Sequence, residues 1–205
     1  MNDIKAIFFD LGNVLVRFDI NRFDRYISDH AGVTAKNVAD YLADSKVGKL
    51  YMEGRISTSR FYSNVKRRFR MDIKFRDFYK AWNSIFFPYP EMENLVKKIR
   101  EKNPGLILVI ISDTNEEHFN FLQKEYTFIN DMDHFVLSHE VGKLKPHPRM
   151  YNRAMKLTGT DAKNVVYFDD REDLIKAART MGIRAFLFTG HVEFVRQLNK
   201  CGLTI

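Results

Sequence analysis

One cysteine, Cys201, stands among 205 residues. A single thiol cannot close an internal disulfide. That excludes a disulfide-stapled secreted domain and fits a reducing, cytoplasmic setting. No run approaches the ~20 apolar residues that a membrane span needs. Met1-Asn2-Asp3-Ile4-Lys5 leads almost at once into an apolar run, so no signal peptide is expected. Internal repeats and low-complexity tracts are lacking, as are strand-like runs between residues 17 and 88. One further absence concerns chemistry. Two positions after Asp10, where a second carboxylate would complete an acid pair, the chain has Gly12.

What is present describes an ordinary globular protein. Hydrophobic residues make up 45% and charged residues 29%, enough to bury one core domain with a modest insert. The net charge of +7 is unevenly placed. Residues 16–90 hold 15 Lys and Arg against 8 Asp and Glu, which is the whole surplus, and the remainder is balanced. Such asymmetry suggests two parts with different tasks.

Five apolar runs predict buried parallel strands: Ala6–Phe9, Leu106–Ile111, Phe135–Leu137, Val165–Phe168 and Ala185–Phe188. Helical stripes lie between them. Met92, Leu95, Val96 and Ile99 form one; Met150, Tyr151, Ala154 and Leu157 form another, with Pro148 suited to its first turn. Leu174, Ile175, Ala178 and Met181 form a third, closed by Gly182. This alternation predicts an α/β fold, a Rossmann-like doubly wound parallel sheet. The expected interruption is a helical cap with helices near Ile20–Ser28, Thr34–Leu42, Ser57–Phe69 and Phe75–Phe86. Ser57 should cap its helix, with Ile56 and Phe61 as a hydrophobic staple. The expected domains are a core of residues 1–16 and 89–205 and a cap of 17–88, with Pro88-Tyr89-Pro90 as a rigid hinge.

Right-handed crossovers put the strand C-termini along one edge. There the sequence offers Asp10, then Ser112-Asp113-Thr114-Asn115, then Gly142-Lys143-Leu144-Lys145-Pro146, then Asp169-Asp170. Singly, each is an ordinary turn or cap residue. Together they suit phosphoryl transfer. Asp10 can attack phosphorus and form an acyl-phosphate. Carboxylates brought close repel one another, and a hard divalent cation such as Mg²⁺ relieves this. Ser112 can donate to a phosphate oxygen, and Lys145 supplies a fixed positive charge. Gly12 permits a tight turn whose carbonyl could face the metal. Asn13 and Asp113 are expected beside Ser112 and Lys145 at the substrate.

Four stretches carry a family resemblance: Phe9-Asp10-Leu11-Gly12-Asn13-Val14-Leu15, Ile111-Ser112-Asp113-Thr114-Asn115, Gly142-Lys143-Leu144-Lys145-Pro146 and Tyr167-Phe168-Asp169-Asp170-Arg171-Glu172-Asp173. In this order they resemble the four motifs of the haloacid dehalogenase-like (HAD) hydrolase superfamily. Their wording is similar to the sugar-phosphate phosphatase branch and to the phosphatase domain of the soluble epoxide hydrolase type. The pattern Ser112-Asp113-Thr114-Asn115-x-x-His118 resembles that branch too. The resemblance implies Asp10 as nucleophile, with Asp10, the Gly12 carbonyl and Asp170 holding Mg²⁺. It implies a phosphatase acting on a small anionic phosphorylated metabolite, such as a sugar phosphate.

Two departures qualify the expected rate. Most phosphatases of the superfamily carry an acid where this chain has Gly12, and general acid–base help is worth ~10²–10⁴ in rate. Asp19 and His118 are candidate substitutes. Leu174 replaces a polar residue that relatives often have, with Asp173 one position away. Three alternatives follow. A haloacid dehalogenase would tolerate Gly12 but needs no metal. A catalytically weak binding protein would keep the fold for an anionic ligand. The run Lys66-Arg67-Arg68-Phe69-Arg70, with Lys74 and Arg76, would serve nucleic acid. Basic helical runs are most often solvated faces, so nucleic acid is not the expected partner. Glu53-Gly54-Arg55 is a candidate cap loop reaching the site.

Overall fold

In the computed structural model, which describes residues 4–205 and only the backbone of Asp44, the first apolar run is strand β1 (Ala6–Phe9). A short β2 (Arg17–Phe18) leads to five helices: α1 (Asn21–Ala31), α2 (Ala35–Asp44), α3 (Lys46–Met52), α4 (Thr58–Phe69) and α5 (Phe75–Asn83). A short β3 (Phe86–Phe87) returns to α6 (Pro90–Lys102), β4 (Ile107–Ser112) and α7 (Glu116–Glu125). Then come β5 (His134–Leu137), the single turn α8 (Ser138–Val141), α9 (Pro148–Thr158) and β6 (Val165–Asp169). The chain closes with α10 (Glu172–Thr180), β7 (Arg184–Leu187) and α11 (His191–Lys200).

The five long strands form one parallel sheet in the order β5-β4-β1-β6-β7. Alternation divides it into two buried faces. Ile7, Phe9, Leu108, Ile110, Val166 and Phe168 pack with α6, α7 and α11. Ala6, Phe8, Val109, Ile111, Val165 and Tyr167 pack with α9 and α10. Both faces are covered, which is why these strands read as continuous apolar runs. The doubly wound α/β expectation holds. Pro148 occupies the first turn of α9. At the end of α10, Gly182 (φ 81°) donates to Arg179 C=O at 3.0 Å, and Ile183 N–H reaches Ala178 C=O at 3.2 Å. That pair of bonds is a Schellman closure.

Helices α1–α5 surround a separate apolar cluster of Phe23, Ile27, Val38, Phe61, Val65, Phe78 and Trp82. Ser57 Oγ accepts from Arg60 N–H, so the expected cap is present. Two features of this segment escaped the sequence. Helix α3 is only seven residues long, too short for a clear apolar period. Strands β2 and β3 pair antiparallel, Arg17 with Phe87 and Phe18 with Phe86. Two-residue strands carry no periodicity, and their partners lie far apart in the chain. The ribbon also ends α5 at Asn83, short of the expected Phe86. It forms a neck, braced by the Arg17 guanidinium 4.2 Å over the buried Tyr89 ring.

Phe23 is fully buried and meets Trp82 at 4.6 Å and Phe78 at 5.3 Å between ring centroids. Phe23→Ala should cost about 3–5 kcal/mol. Urea denaturation followed by circular dichroism checks this; an unchanged midpoint would show that the cluster is not closely packed.

Candidate active site

Strand β1 is locked between β4 and β6, and its last hydrogen bond runs from Asp10 N–H to Phe168 C=O at 2.8 Å. Asp10 is thereby delivered to the sheet edge. The chain then reverses. Leu15 and Val16 N–H both reach Leu11 C=O at 3.0 Å, and Asn13 N–H reaches Val16 C=O at 2.6 Å. The Gly12 carbonyl takes part in none of these bonds. Asn13 adopts a left-handed φ of 56°, which asparagine tolerates. Its amide braces two neighbours: Nδ2 donates to Asp170 Oδ2 at 3.1 Å, and Oδ1 accepts from Phe18 N–H at 3.3 Å.

Lys145 binds the strand ends together. Its Nζ donates to Asp10 Oδ1 at 2.7 Å and to Asp169 Oδ2 at 2.6 Å. Its backbone N–H donates to Asp113 Oδ1 at 2.8 Å. The Lys145 side chain is 2% exposed, against 13% for Asp10 and 0% for Asp169. Tyr167 OH also donates to Asp169 Oδ2, and Arg171 N–H donates to Asp169 Oδ1 at 2.9 Å. Burial alone would lower the Lys145 pKa; the charges of Asp10, Asp169 and Asp113 outweigh it and hold the ammonium above the usual lysine range. Asp10 moves to about 7: burial raises it, Lys145 pulls it down, and Asp169 pushes it up. Burial likewise raises Asp113, against the pull of Lys145.

Asp10, Asp169 and Asp170 each offer a carboxylate oxygen, and these oxygens lie within 4.8 Å of one another. One ammonium faces three carboxylates. The donor set is hard oxygen, which suits Mg²⁺ over a soft metal. The uncompensated charge and the raised Asp10 pKa fit a cation at this edge.

A sequence profile of the haloacid dehalogenase-like hydrolases matches residues 4–182. The chain belongs to that family. Among curated relatives, Phosphatase MT3486 of Mycobacterium tuberculosis is 24% identical over 90% of this chain and 87% of its own. A HAD family enzyme of Bacteroides thetaiotaomicron, solved in complex with magnesium and inorganic phosphate, superposes with a TM-score of 0.80. It is 23% identical over 90% of this chain and 93% of its own. A predicted HAD-like hydrolase of Porphyromonas gingivalis also gives 0.80, at 19% identity over 97% and 98%.

Against this HAD frame, the expected residues Asp10, Asp113, Lys145 and Asp170 meet at one edge. Ser112 is buried at the last position of β4 and lines a cavity of about 390 Å³ between the core and α1–α5. Asn13 lies at the same edge with its amide engaged by Asp170 and Phe18. Asp169 was quoted in the fourth motif but not singled out as a site residue. Val165, Tyr167 and Asp169 share one face of β6, so extending the strand by one residue would have placed it beside Lys145.

The candidate acids resolve differently. His118 is buried, with Nε2 at 3.0 Å from Trp82 C=O and Nδ1 at 3.1 Å from Asn115 Nδ2. Burial lowers its pKa to about 3, so it stays neutral and joins α7 to α5. Asp19 Oδ1 is occupied by Asn21 N–H at 3.0 Å and Nδ2 at 2.8 Å. Asp173 is exposed and paired with Arg171 at 2.7 Å, while Leu174 is core. Glu53 pairs with Arg55, and Gly54 (φ 68°) meets the core so closely that a Cβ would fall 2.1 Å from His139 O.

Asp24 was missed. It is 1% exposed, neither carboxyl oxygen has a partner, and it lines the same cavity as Gly12 and Ser112. Burial raises its pKa to about 6, with Asp19 adding and Arg25 opposing. Ile20, Asp24 and Ile27 fall at helical spacing, so an acid on the apolar stripe was a readable signal.

The space beside Gly12 is filled. A Cβ there would lie 2.9 Å from Phe18 Cδ1 and Cε1. Gly12→Asp must displace the ring and should cost about 1–3 kcal/mol. In the double variant with Phe18→Ala the loss should fall below the sum of the singles. Strict additivity in chemical denaturation would show that the ring does not hold this space.

Proposed function

We propose that this protein is a Mg²⁺-dependent phosphatase of small phosphomonoesters, working through an aspartyl-phosphate on Asp10. The observation that carries the reading is Lys145, buried between Asp10 and Asp169, with Asp170 beside them. The magnesium and phosphate bound by the Bacteroides relative, and the name of the Mycobacterium relative, support it. Asp10, Asp170 and the Gly12 carbonyl would hold Mg²⁺. When bound, it neutralises carboxylate and phosphate charge.

A carboxylate oxygen of Asp10 attacks phosphorus and the bond to the alcohol oxygen breaks. Lys145, fixed on Asp10 Oδ1, opposes the burial that raises the carboxyl's pKa and keeps the nucleophile oriented while the phosphoryl group moves. Ser112 and Asp113, with Lys145, form the proposed phosphate side of the site, and Asn13 keeps Asp170 in place. Water then attacks the acyl-phosphate, releasing phosphate and restoring Asp10. Gly12 cannot hand a proton to the departing alkoxide, and His118 and Asp19 are otherwise engaged, so the alkoxide takes its proton from solvent water. A modest turnover rate follows. Helices α1–α5, within residues 17–88, act as a cap over a core of 1–16 and 89–205, excluding water from the reacting groups. Their positive surplus steers anions toward the edge.

Other readings have less support. Three carboxylates around one ammonium favour metal-assisted phosphoryl transfer over metal-free halide displacement. In the basic run, Phe69 is buried, Arg68 lies over Tyr41 and Phe69, and Lys66 faces Asp72 at 3.4 Å. These side chains are engaged with neighbours in the helical segment, which favours a small metabolite over nucleic acid. No helix among the described residues is long and apolar enough to cross a membrane. Cys201 is buried and free, which fits the cytoplasmic location proposed.

Phosphate release from a panel of sugar phosphates, nucleotides and phosphoamino acids tests the reading. Release should require Mg²⁺, stop on chelation and fall to background in Asp10→Asn. A folded wild-type protein inert across the panel with Mg²⁺ would overturn it.

A further inference from the structure

The cavity above the sheet edge is poorly suited to a sugar. Its walls are Leu11, Phe18, Leu42, Phe61, Trp82 and Phe86, among others of the same kind. Its polar side chains are mostly spent. Both His118 ring nitrogens are bonded, and Tyr51 OH is shared between Asn115 Oδ1 and Thr58 Oγ1, each at 3.0 Å. Asp113 Oδ1 holds the Lys145 backbone. The Trp82 indole N–H, near the Tyr51 hydroxyl, closes no hydrogen bond. Beside that single neutral donor, the unspent side-chain group on the helical side of the cavity, among the described residues, is the Asp24 carboxyl, and it is the acceptor.

A hexose would bring several hydroxyls into this space. Each one left unpaired costs roughly 1–3 kcal/mol. An apolar chain or ring instead gains from every surface it covers. A buried carboxylate with no partner is itself unfavourable and is relieved by one incoming donor.

We propose that the alcohol released is largely apolar and carries one hydrogen-bond donor, a hydroxyl or an amine, which Asp24 receives. This rests on the phosphatase reading and narrows it: the substrate is a phosphomonoester of a mainly apolar, singly functionalised alcohol rather than of a sugar. The cavity volume, about 390 Å³, is that of a small-ligand site. Asp24 is a binding residue here and takes no part in bond breaking.

The charged groups around Asp24 are Asp19 and Arg25 on its own side, and Asp113 across the cavity; His118 is neutral. Its carboxyl, moved from 3.8 to about 6 on folding, destabilises the protein as pH rises through that window. Asp24→Asn should therefore raise Tm at pH ~7.5, with the gain disappearing by pH ~4. A variant no more stable than wild type at the higher pH would show that Asp24 is already satisfied.

The decisive experiment compares kcat/KM for hexyl phosphate, its ω-hydroxy and ω-amino analogues, and glucose 6-phosphate, with Mg²⁺, in wild type and Asp24→Leu. In wild type the ω-functional esters should exceed hexyl phosphate by about tenfold or more, as one charged hydrogen bond allows. Whichever analogue leads tells hydroxyl from amine. Glucose 6-phosphate should come last, and Asp24→Leu should erase the ω-preference. Glucose 6-phosphate leading, or a preference that survives Asp24→Leu, would overturn the inference and leave the phosphatase reading standing. If no ester turns over, the phosphatase reading fails, and thermal shifts with ω-aminohexanol and hexanediol decide the cavity. Stabilisation of wild type but not Asp24→Leu supports the donor site; no shift in either overturns it.

Discussion

The Lys145 ammonium, closed off from water between Asp10 and Asp169, is the interaction on which the site depends. At an effective dielectric of ~20, two unit charges 4 Å apart interact by about 4 kcal/mol. Desolvating each ion costs a comparable amount, so such a cluster is poor value as a stability device. Its consequence is geometric. The segment after β5 is tied to the ends of β1 and β6 by the side chain, and to the loop after β4 by the Asp113 bond to its backbone. Four strand ends are thus held in one arrangement. The charge count remains negative, and a phosphate dianion approaching Asp10 without a further cation would be repelled. A cation at this edge would relieve that repulsion.

A second constraint holds the helical segment over that edge. Asn115 caps α7 by accepting His118 N–H, accepts Tyr51 OH from α3, and donates toward Met52 Sδ and His118 Nδ1. His118 in turn reaches Trp82 C=O and stacks on its ring at 4.4 Å. Ser138 Oγ donates to Met52 C=O at 2.7 Å, and Gly54 lies flush against His139. The Asn115, Tyr51, His118 and Ser138 side chains buried at this seam are paired, which low dielectric makes both strong and exacting. The seam decides what the cavity is made of. Tyr51 faces it with its ring because its hydroxyl is held by Asn115, and the Trp82 ring is held there by the His118 stack and the bond to its backbone carbonyl.

Most of this arrangement was legible in the sequence where it was local. The sheet strands announce themselves because both faces are buried, and the strand-end acids follow from topology. Ser57, Pro148 and Gly182 occupy the capping positions their chemistry prefers. What escaped was set by tertiary contact. The β2–β3 ribbon exists because Arg17 and Phe87 meet in space, and neither two-residue stretch has a pattern of its own. His118 reads as a reactive histidine in a polar motif, yet its two hydrogen bonds and its burial make it inert. Asp169 is visible at the strand end, but its pairing with Lys145 follows only when β6 runs one residue further, and Asp24 is an acid among the apolar positions of α1.

Gly12 is then not a simple vacancy. The Phe18 ring stands where a side chain at this position would begin, and Asn13 Oδ1 holds the Phe18 backbone in place. Phe18 also pairs with Phe86 in the ribbon and meets its ring at 6.2 Å. The turn after Asp10, the neck and the cavity wall are thus one packed unit. An acid at residue 12 would need room that the neck now occupies, and it would add a further carboxylate beside Asp10, Asp169 and Asp170. Losing the usual proton carrier and gaining an apolar wall are consequences of the same aromatic residue. An apolar leaving group meets that wall favourably, whereas a hydrated one would have to shed its water against it. The departure from the family pattern at Gly12 and the character of the cavity are therefore a single physical fact, seen from Asp10 and from the helical segment.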